Sequence, residues 1–212
     1  MPTPTLPTAP ARHVYTPAVL WLTGLSGSGK TTLVRSAARV LKGRGYPVAT
    51  LDGDQLRRGL CRDLGFSMAD RRENIRRAAA LAREYAALGN VVLGAFISPL
   101  ASMRALARET VGPARFREVY VSTPLETCRR RDPKGLYRRA AAGEIEGLTG
   151  VDSAYEAPVA PDLRIDTAEL RLGEATRALV ELAAETCATA TSGERGGSRP
   201  GLRDLVRHPS DR

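Results

Sequence analysis

The chain has 212 residues, enough for one α/β domain with a full core, and its 42% apolar share is ordinary for a soluble protein. No apolar run approaches the ~20 residues of a membrane span, and three scattered cysteines, Cys61, Cys128 and Cys187, exclude a disulfide framework and a cysteine metal site. The formal charge of +9 admits a nucleic-acid binder, but the arginines are spread along the chain and no stretch interleaves them with aromatics, so anionic small ligands are the preferred reading and nucleic acid is not an expected partner. The first residues, Met1 to Pro7, have no basic n-region and no apolar h-region; with the free cysteines this points to the cytoplasm, with no membrane association.

Residues 1–17 are rich in Pro, Thr and Ala, carry no period, and read as a flexible arm. Val19-Leu20-Trp21-Leu22 is a short apolar run suited to a buried strand. Then comes Gly24-Leu25-Ser26-Gly27-Ser28-Gly29-Lys30-Thr31, followed by Thr32, which fits the P-loop pattern G-x-x-x-x-G-K-[ST]. Leu33, Ala37, Val40 and Leu41 behind it recur at helical spacing. Strand, glycine loop and helix are the context the motif needs. The glycines let backbone N–H groups turn inward around phosphate oxygens, and the helix start adds its positive dipole end. In such a loop Lys30 reaches the β- and γ-phosphates of ATP and Thr31 holds Mg²⁺. Lysine is rare here, with only Lys30, Lys42 and Lys134, so its presence in the motif is not a by-product of composition.

Gly43-Arg44-Gly45 ends the helix, and Pro47 to Leu51 reads as a second strand running into Asp52-Gly53-Asp54. Ser67 and Asp70 form a capping box that opens a helix to about Leu88, burying Ile75, Ala78, Ala82 and Tyr85. Val91 to Ile97 is nearly all apolar, as a central parallel strand should be, and ends in Ser98-Pro99. A short helix from Met103 to Glu109, a strand from Glu118 to Val121, and a helix opened by Thr123 as N-cap and Pro124 at its first position follow. Residues 132–160 are broken by Gly and Pro, as expected of a lid. Leu163 to Thr167 is a fifth strand, and Leu172, Ala175, Leu179 and Leu182 line a last helix to Cys187. Residues 188–212 read as a disordered basic tail, which leaves 18–187 as the folded domain. The fold expected is a three-layer P-loop NTPase fold, a five-stranded parallel sheet with helices on both faces and a mobile lid.

Ligands of such sheets bind at the carboxyl ends of the strands. Asp52, at the tip of the second strand, suits proton acceptance from an attacking hydroxyl or a hold on the metal's waters; its structural alternative is a helix cap. Asp54 is a second candidate for the metal. Arg57 lies one helical turn on, and Arg71 and Asn74 share a helix face; arginine forks suit phosphate and sulfate oxygens, although each arginine alone reads as a surface charge. Phe66 is either an exposed loop aromatic for stacking on a base or a satellite core residue. Lys134 is a lid cation suited to closing on the phosphates.

These stretches resemble the adenylylsulfate (APS) kinases. The resemblance rests on the P-loop, on Leu51 to Leu60, on Asp63-Leu-Gly-Phe66-Ser-Met-Ala-Asp-Arg71-Arg-Glu-Asn74, on Phe96-Ile97-Ser98-Pro99, on Arg131-Asp-Pro-Lys134-Gly-Leu-Tyr137, and on Thr149 to Pro158, in the family's order. It implies ATP-dependent phosphorylation of the 3′-hydroxyl of adenosine 5′-phosphosulfate, with ATP and Mg²⁺ as cofactors and a homodimeric enzyme. Asp52 then resembles the base, and Arg57, Arg71 and Asn74 the holders of the phosphosulfate nucleotide. Phe66 resembles one face of an adenine sandwich. Ser98, beside Ile97, matches a serine assigned as a phosphoserine intermediate, for which substrate positioning is the physically simpler role. The chain departs from the pattern at Leu148, where the family usually has Phe as the second stacking face, and at Leu100-Ala101 in place of Tyr-Arg. The rival readings are a P-loop kinase for a related nucleotide acceptor and a non-catalytic nucleotide- or nucleic-acid-binding module.

Overall fold

A computed structural model describes residues 15–188. Five strands, β1 (Val19–Thr23), β2 (Val48–Asp52), β3 (Val91–Ala95), β4 (Phe116–Val121) and β5 (Leu163–Ile165), form one sheet in the order β2-β3-β1-β4-β5. Every pairing is parallel. The helices are α1 (Lys30–Gly43), α2 (Gly53–Arg58), α3 (Met68–Ala87), α4 (Ala101–Val111), α5 (Leu125–Arg131), α6 (Leu136–Ala141) and α7 (Leu172–Ala188).

The strand period of two divides β1 between the two faces of the sheet. Leu20 and Leu22 pack with Leu33, Ala37 and Leu41 of α1 and with Leu179, Val180 and Ala183 of α7. Val19 and Trp21 point the other way, against Ile75, Ala78 and Ala82 of α3 and Met103 and Ala107 of α4. A third cluster, Cys128, Tyr137 and Leu148 with Leu25, Leu125 and Leu136 around it, forms the base of the lid segment. All three cysteines are buried and free.

The three-layer expectation holds, with local differences. The helix from residue 67 is capped as its sequence indicates: the Ser67 hydroxyl accepts from the Asp70 N–H at 3.1 Å. Tyr85, expected inside, is 36% exposed, because α3 turns it outward at its last full turn. The third strand stops at Ala95, so Phe96 and Ile97 lie beyond its end. Thr123 does not cap α5. Pro124 stands at the N-cap, and the Thr123 hydroxyl instead donates to Ser28 O at 3.1 Å. Helices α2 and α6 have six residues each and show no readable period in the sequence. Of the expected arm, Tyr15 to Pro17 are described: Tyr15 packs edge-on against Tyr46 at 5.3 Å, and the Thr16 N–H donates to Cys187 O. The rest of the arm, and the tail beyond Ala188, lie outside the described residues.

Gly94 in β3 leaves room for a stack on which the acceptor side of the cleft rests. The Phe96 ring lies on Trp21 with centroids 4.3 Å apart, and a Cβ at position 94 would come within 2.7 Å of it. Gly94→Ala should lower stability by about 1–3 kcal/mol through overpacking, read by urea unfolding. An unchanged midpoint would show that the ring yields freely.

Candidate active site

The strand ends converge on one cleft of about 1230 Å³. β1 delivers the P-loop, β2 Asp52, β3 the Phe96–Pro99 turn, β4 Thr123, and β5 the loop with Thr167. Of the residues expected at the site, Ser26, Gly27, Gly29, Lys30, Thr31, Thr32, Asp52, Asp54, Arg57, Phe66, Arg71, Asn74, Ile97, Ser98, Lys134 and Leu148 all line the cleft. Gly24, Leu25 and Ser28 sit behind the loop and shape it. Gly24 has φ 151°, and a Cβ there would lie 2.5 Å from Val121 O. Gly27 and Gly29 also have positive φ, which L side chains rarely adopt.

Lys30 begins α1 and is buried. Its ammonium donates to Gly24 O at 2.9 Å, Leu25 O at 2.7 Å and Ser28 Oγ at 3.3 Å. Burial, with the Lys134 charge as second cause, brings its pKa down to about 8. The Thr31 hydroxyl donates to Asp52 Oδ2 at 2.7 Å, while Asp52 Oδ1 accepts from the Asp54 N–H at 2.9 Å. Asp52 therefore caps α2 with one carboxylate oxygen and faces Thr31 with the other. The two readings of this residue are compatible. The Thr31 oxygen and the Asp52 carboxylate are hard donors suited to Mg²⁺ and its waters. Among the described residues no cluster of three His, Cys, Asp or Glu forms a cage, so phosphate oxygens and water must supply the remaining ligands.

The other charged groups hold one another. Lys134 pairs with Asp54 across the cleft rather than with the P-loop. Arg71 donates from Nε to Phe66 O at 2.8 Å, from Nη1 to Thr149 Oγ1 at 2.8 Å and from Nη2 to Gly147 O at 2.6 Å, which ties α3 to the lid segment. Arg57 donates to Gly65 O at 2.7 Å and lies 4.4 Å over the Phe66 ring. Phe66 is 68% exposed, which decides against a satellite core residue. Asn74 is buried, and its amide nitrogen finds no acceptor among the described residues. Leu148 is only 8% exposed and belongs to the lid's own apolar cluster as well as to the cleft wall. Ser98 is buried with φ 38° and accepts from Trp21 Nε1 at 3.2 Å.

The adenylylsulphate kinase profile matches residues 16–166. An adenylyl-sulfate kinase of Bacillus pumilus is 50% identical over 167 residues, 79% of this chain and 85% of that protein. The solved structure of the Mycobacterium tuberculosis APS kinase with AMPPNP and APS is 48% identical with a TM-score of 0.77, and the match covers 79% of this chain and 97% of that one. A hexameric APS kinase from Thiobacillus denitrificans is 32% identical with a TM-score of 0.60, covering 81% of this chain and 29% of that one.

The chain belongs to the adenylylsulfate kinase family. As an adenylylsulfate kinase it needs a rigid phosphate cradle, and residues that the sequence reading passed over supply the support. Thr123 and Thr167 both donate to Ser28 O, at 3.1 and 2.9 Å, and Tyr137 donates to Ser26 O at 2.9 Å. Arg131 holds Thr167 through its hydroxyl and its carbonyl, each at 2.7 Å. The Asp132 carboxylate accepts the Tyr137 and Arg138 N–H groups and so starts α6. Arg131, Asp132 and Tyr137 lie in a stretch shared with the family, whereas Thr123 and Thr167 read only as a helix cap and a strand end, since their partner Ser28 is far away in the chain.

A phosphate placed beside Lys30 favours its charged form, so nucleotide binding raises a pKa that starts at about 8. Affinity for Mg·ATP should be full below pH 8 and fall above it, by up to about tenfold per pH unit, with proton uptake on binding. Calorimetry in buffers of different ionisation enthalpy reads both effects. A flat affinity between pH 7 and 9.5 would contradict the assignment.

Proposed function

We propose that this chain transfers the γ-phosphoryl group of ATP to the 3′-hydroxyl of adenosine 5′-phosphosulfate, giving 3′-phosphoadenosine 5′-phosphosulfate for sulfate activation in the cytoplasm. The observation that carries the reading is the single cleft in which a P-loop lysine, the Thr31–Asp52 pair and the Ser98 turn stand beside Phe66, Arg71 and Asn74. ATP fits the P-loop side, where positive-φ glycines leave the backbone bare for phosphate oxygens. Mg²⁺, when bound, would screen the transferring charge; Thr31 would hold it, with Asp54 as the second side chain, which leaves Asp52 free as the base.

Lys30 exchanges its loop carbonyls for phosphate oxygens. That exchange stabilises charge on the transferring group. Asp52 takes the proton of the attacking hydroxyl, and the buried Ser98 orients that hydroxyl. A positioning role suits Ser98 better than nucleophilic attack, because its oxygen already accepts from Trp21 and its burial leaves little room to turn. Arg57, Arg71 and Asn74 hold the phosphosulfate nucleotide, the two guanidinium forks matching its anionic oxygens. Lys134 leaves Asp54 for the anion as the lid settles; Asp54 is then released toward the metal. The adenine of the acceptor stacks on Phe66 with Leu148 as its apolar second face. Self-association belongs to the same reading: the resemblance points to a homodimer, the Thiobacillus relative is named as a hexamer, and light scattering tests which state this chain adopts.

Lys30→Ala should lower turnover by about 10² or more while the circular dichroism spectrum stays native. Near-normal turnover would reject its role. The stacking model is tested with two further variants. Base–aromatic stacking is worth about 1–3 kcal/mol, so Phe66→Ala should raise the KM for APS by about tenfold or more and Leu148→Phe should lower it severalfold, with the KM for ATP unmoved. If both variants leave APS kinetics unchanged, the adenine lies elsewhere.

A further inference from the structure

Beside the cleft, a buried arginine has no part in the scheme above. Arg104, in the first turns of α4, is 4% exposed. Its Nη1 donates to Ser98 O at 3.0 Å and to Pro99 O at 3.2 Å, and its Nε faces Glu118 Oε1 of β4 at 2.6 Å. An isolated buried guanidinium is costly, and the nearby carboxylate offsets that cost only in part. The Ser98 turn carries a cost of its own, since a non-glycine residue at positive φ is strained. The same guanidinium links the two.

We propose that Arg104 is a positioning residue for acceptor phosphorylation: by binding the Ser98 and Pro99 carbonyls it holds the turn in the strained conformation that presents Ser98 to the acceptor hydroxyl. The proposal rests on the reading of Ser98 given above. Three successive carbonyls of the turn are restrained from the protein side. Ile97 O accepts from Thr23 Oγ1 at 2.6 Å, Ser98 O from Arg104, and Pro99 O from Arg104 and from the Glu156 N–H at 2.8 Å. The Ser98 side chain is fixed by Trp21 from the opposite direction. With its carbonyls drawn back toward α4 and β1, the peptide unit cannot relax to negative φ without breaking the bonds to Arg104. A lysine has no planar fork and cannot hold Glu118 and two carbonyls from one group in the same geometry. Glu118 acts on the guanidinium through its charge: its Oε1 stands 2.6 Å from Nε without forming a hydrogen bond, while Nη1 is aimed at the turn. Misplacement of a catalytic contact by about 1 Å is enough to lower a rate about 10²-fold, so a small relaxation of this turn would be visible in turnover.

The test compares Arg104→Lys and Glu118→Gln with the parent enzyme, measuring kcat and KM for APS, KM for ATP, and the unfolding temperature. Arg104→Lys should lose about tenfold or more in kcat with APS while the KM for ATP stays within about twofold. Glu118→Gln removes the charge that offsets the buried guanidinium and should lower the unfolding temperature, while its loss in kcat with APS should be smaller than that of Arg104→Lys because the bonds from Nη1 to the turn remain. If Arg104→Lys does not fold, the double variant Arg104→Gln, Glu118→Gln leaves no unpaired buried charge and is read the same way. Unchanged APS turnover in the folded Arg104 variant overturns the proposal. So does a loss that falls equally on ATP and APS parameters, which marks a purely structural residue, and so does a Glu118→Gln loss as deep as that of Arg104→Lys. Ser98→Ala is the control for the underlying reading: if it keeps full APS turnover, the positioning role of Ser98 itself fails, whatever Arg104 does.

Discussion

The buried charge of Lys30 sets the terms for the nucleotide side of this structure. Lys30 sits at the start of α1, buried, and in the absence of phosphate its charge is met by oxygens of its own loop. Such a charge is tolerable only where hydrogen-bond acceptors are held close around it. The loop is accordingly tied from three directions. Thr123 after β4 and Thr167 after β5 bind Ser28 O, Tyr137 of α6 binds Ser26 O, and Gly24 lets the chain pass Val121 at a distance no Cβ permits. Each neutral bond contributes only about 1 kcal/mol, and their joint effect is geometric: the loop is shaped before ATP arrives. Phosphate then replaces ligands that are already in place, so little reorganisation accompanies binding.

The acceptor side follows the opposite logic. On the P-loop side glycines at positive φ leave the backbone without side chains where phosphate oxygens would approach. In the Ile97–Pro99 turn the carbonyls are drawn away from the cleft by Thr23, Arg104 and Glu156, and the side chain is what faces it. Trp21 belongs to both halves. It lies in β1, which leads to the P-loop, stacks on Phe96 and donates to Ser98. One strand therefore sets the distance between the P-loop and the Ser98 turn. The lid segment closes the arrangement through Arg71 with Gly147 and Thr149, and through Lys134 with Asp54, contacts made of charges and carbonyls that an anionic nucleotide can take over.

The features legible in the sequence were those with a local period or a fixed spacing. The P-loop, the apolar strands and the Ser67–Asp70 cap all appear where the sequence places them, and the expected site residues meet in one cleft because strand ends in a parallel sheet must do so. What escaped was decided by tertiary contact. Thr123 reads as a helix cap, but its hydroxyl is drawn to Ser28, 95 positions away in the chain. The pairing of Lys134 with Asp54, 80 positions away, has no local signal either. Arg104 is one arginine among many in the sequence, and only its burial against Glu118 and the turn distinguishes it. Helices α2 and α6 are too short for a 3.6-residue period to show.

The central claim is that donor phosphate and acceptor hydroxyl meet between Lys30 and Ser98, with adenosine 5′-phosphosulfate as the acceptor. The most direct measurement incubates the enzyme with Mg·ATP labelled in the γ-phosphate and adenosine 5′-phosphosulfate, and locates the label in the product by phosphorus NMR. The account requires label on the 3′-oxygen of an otherwise intact phosphosulfate nucleotide, formed in step with ADP. Label at the 2′-oxygen, or ATP turnover with no labelled nucleotide, would contradict it.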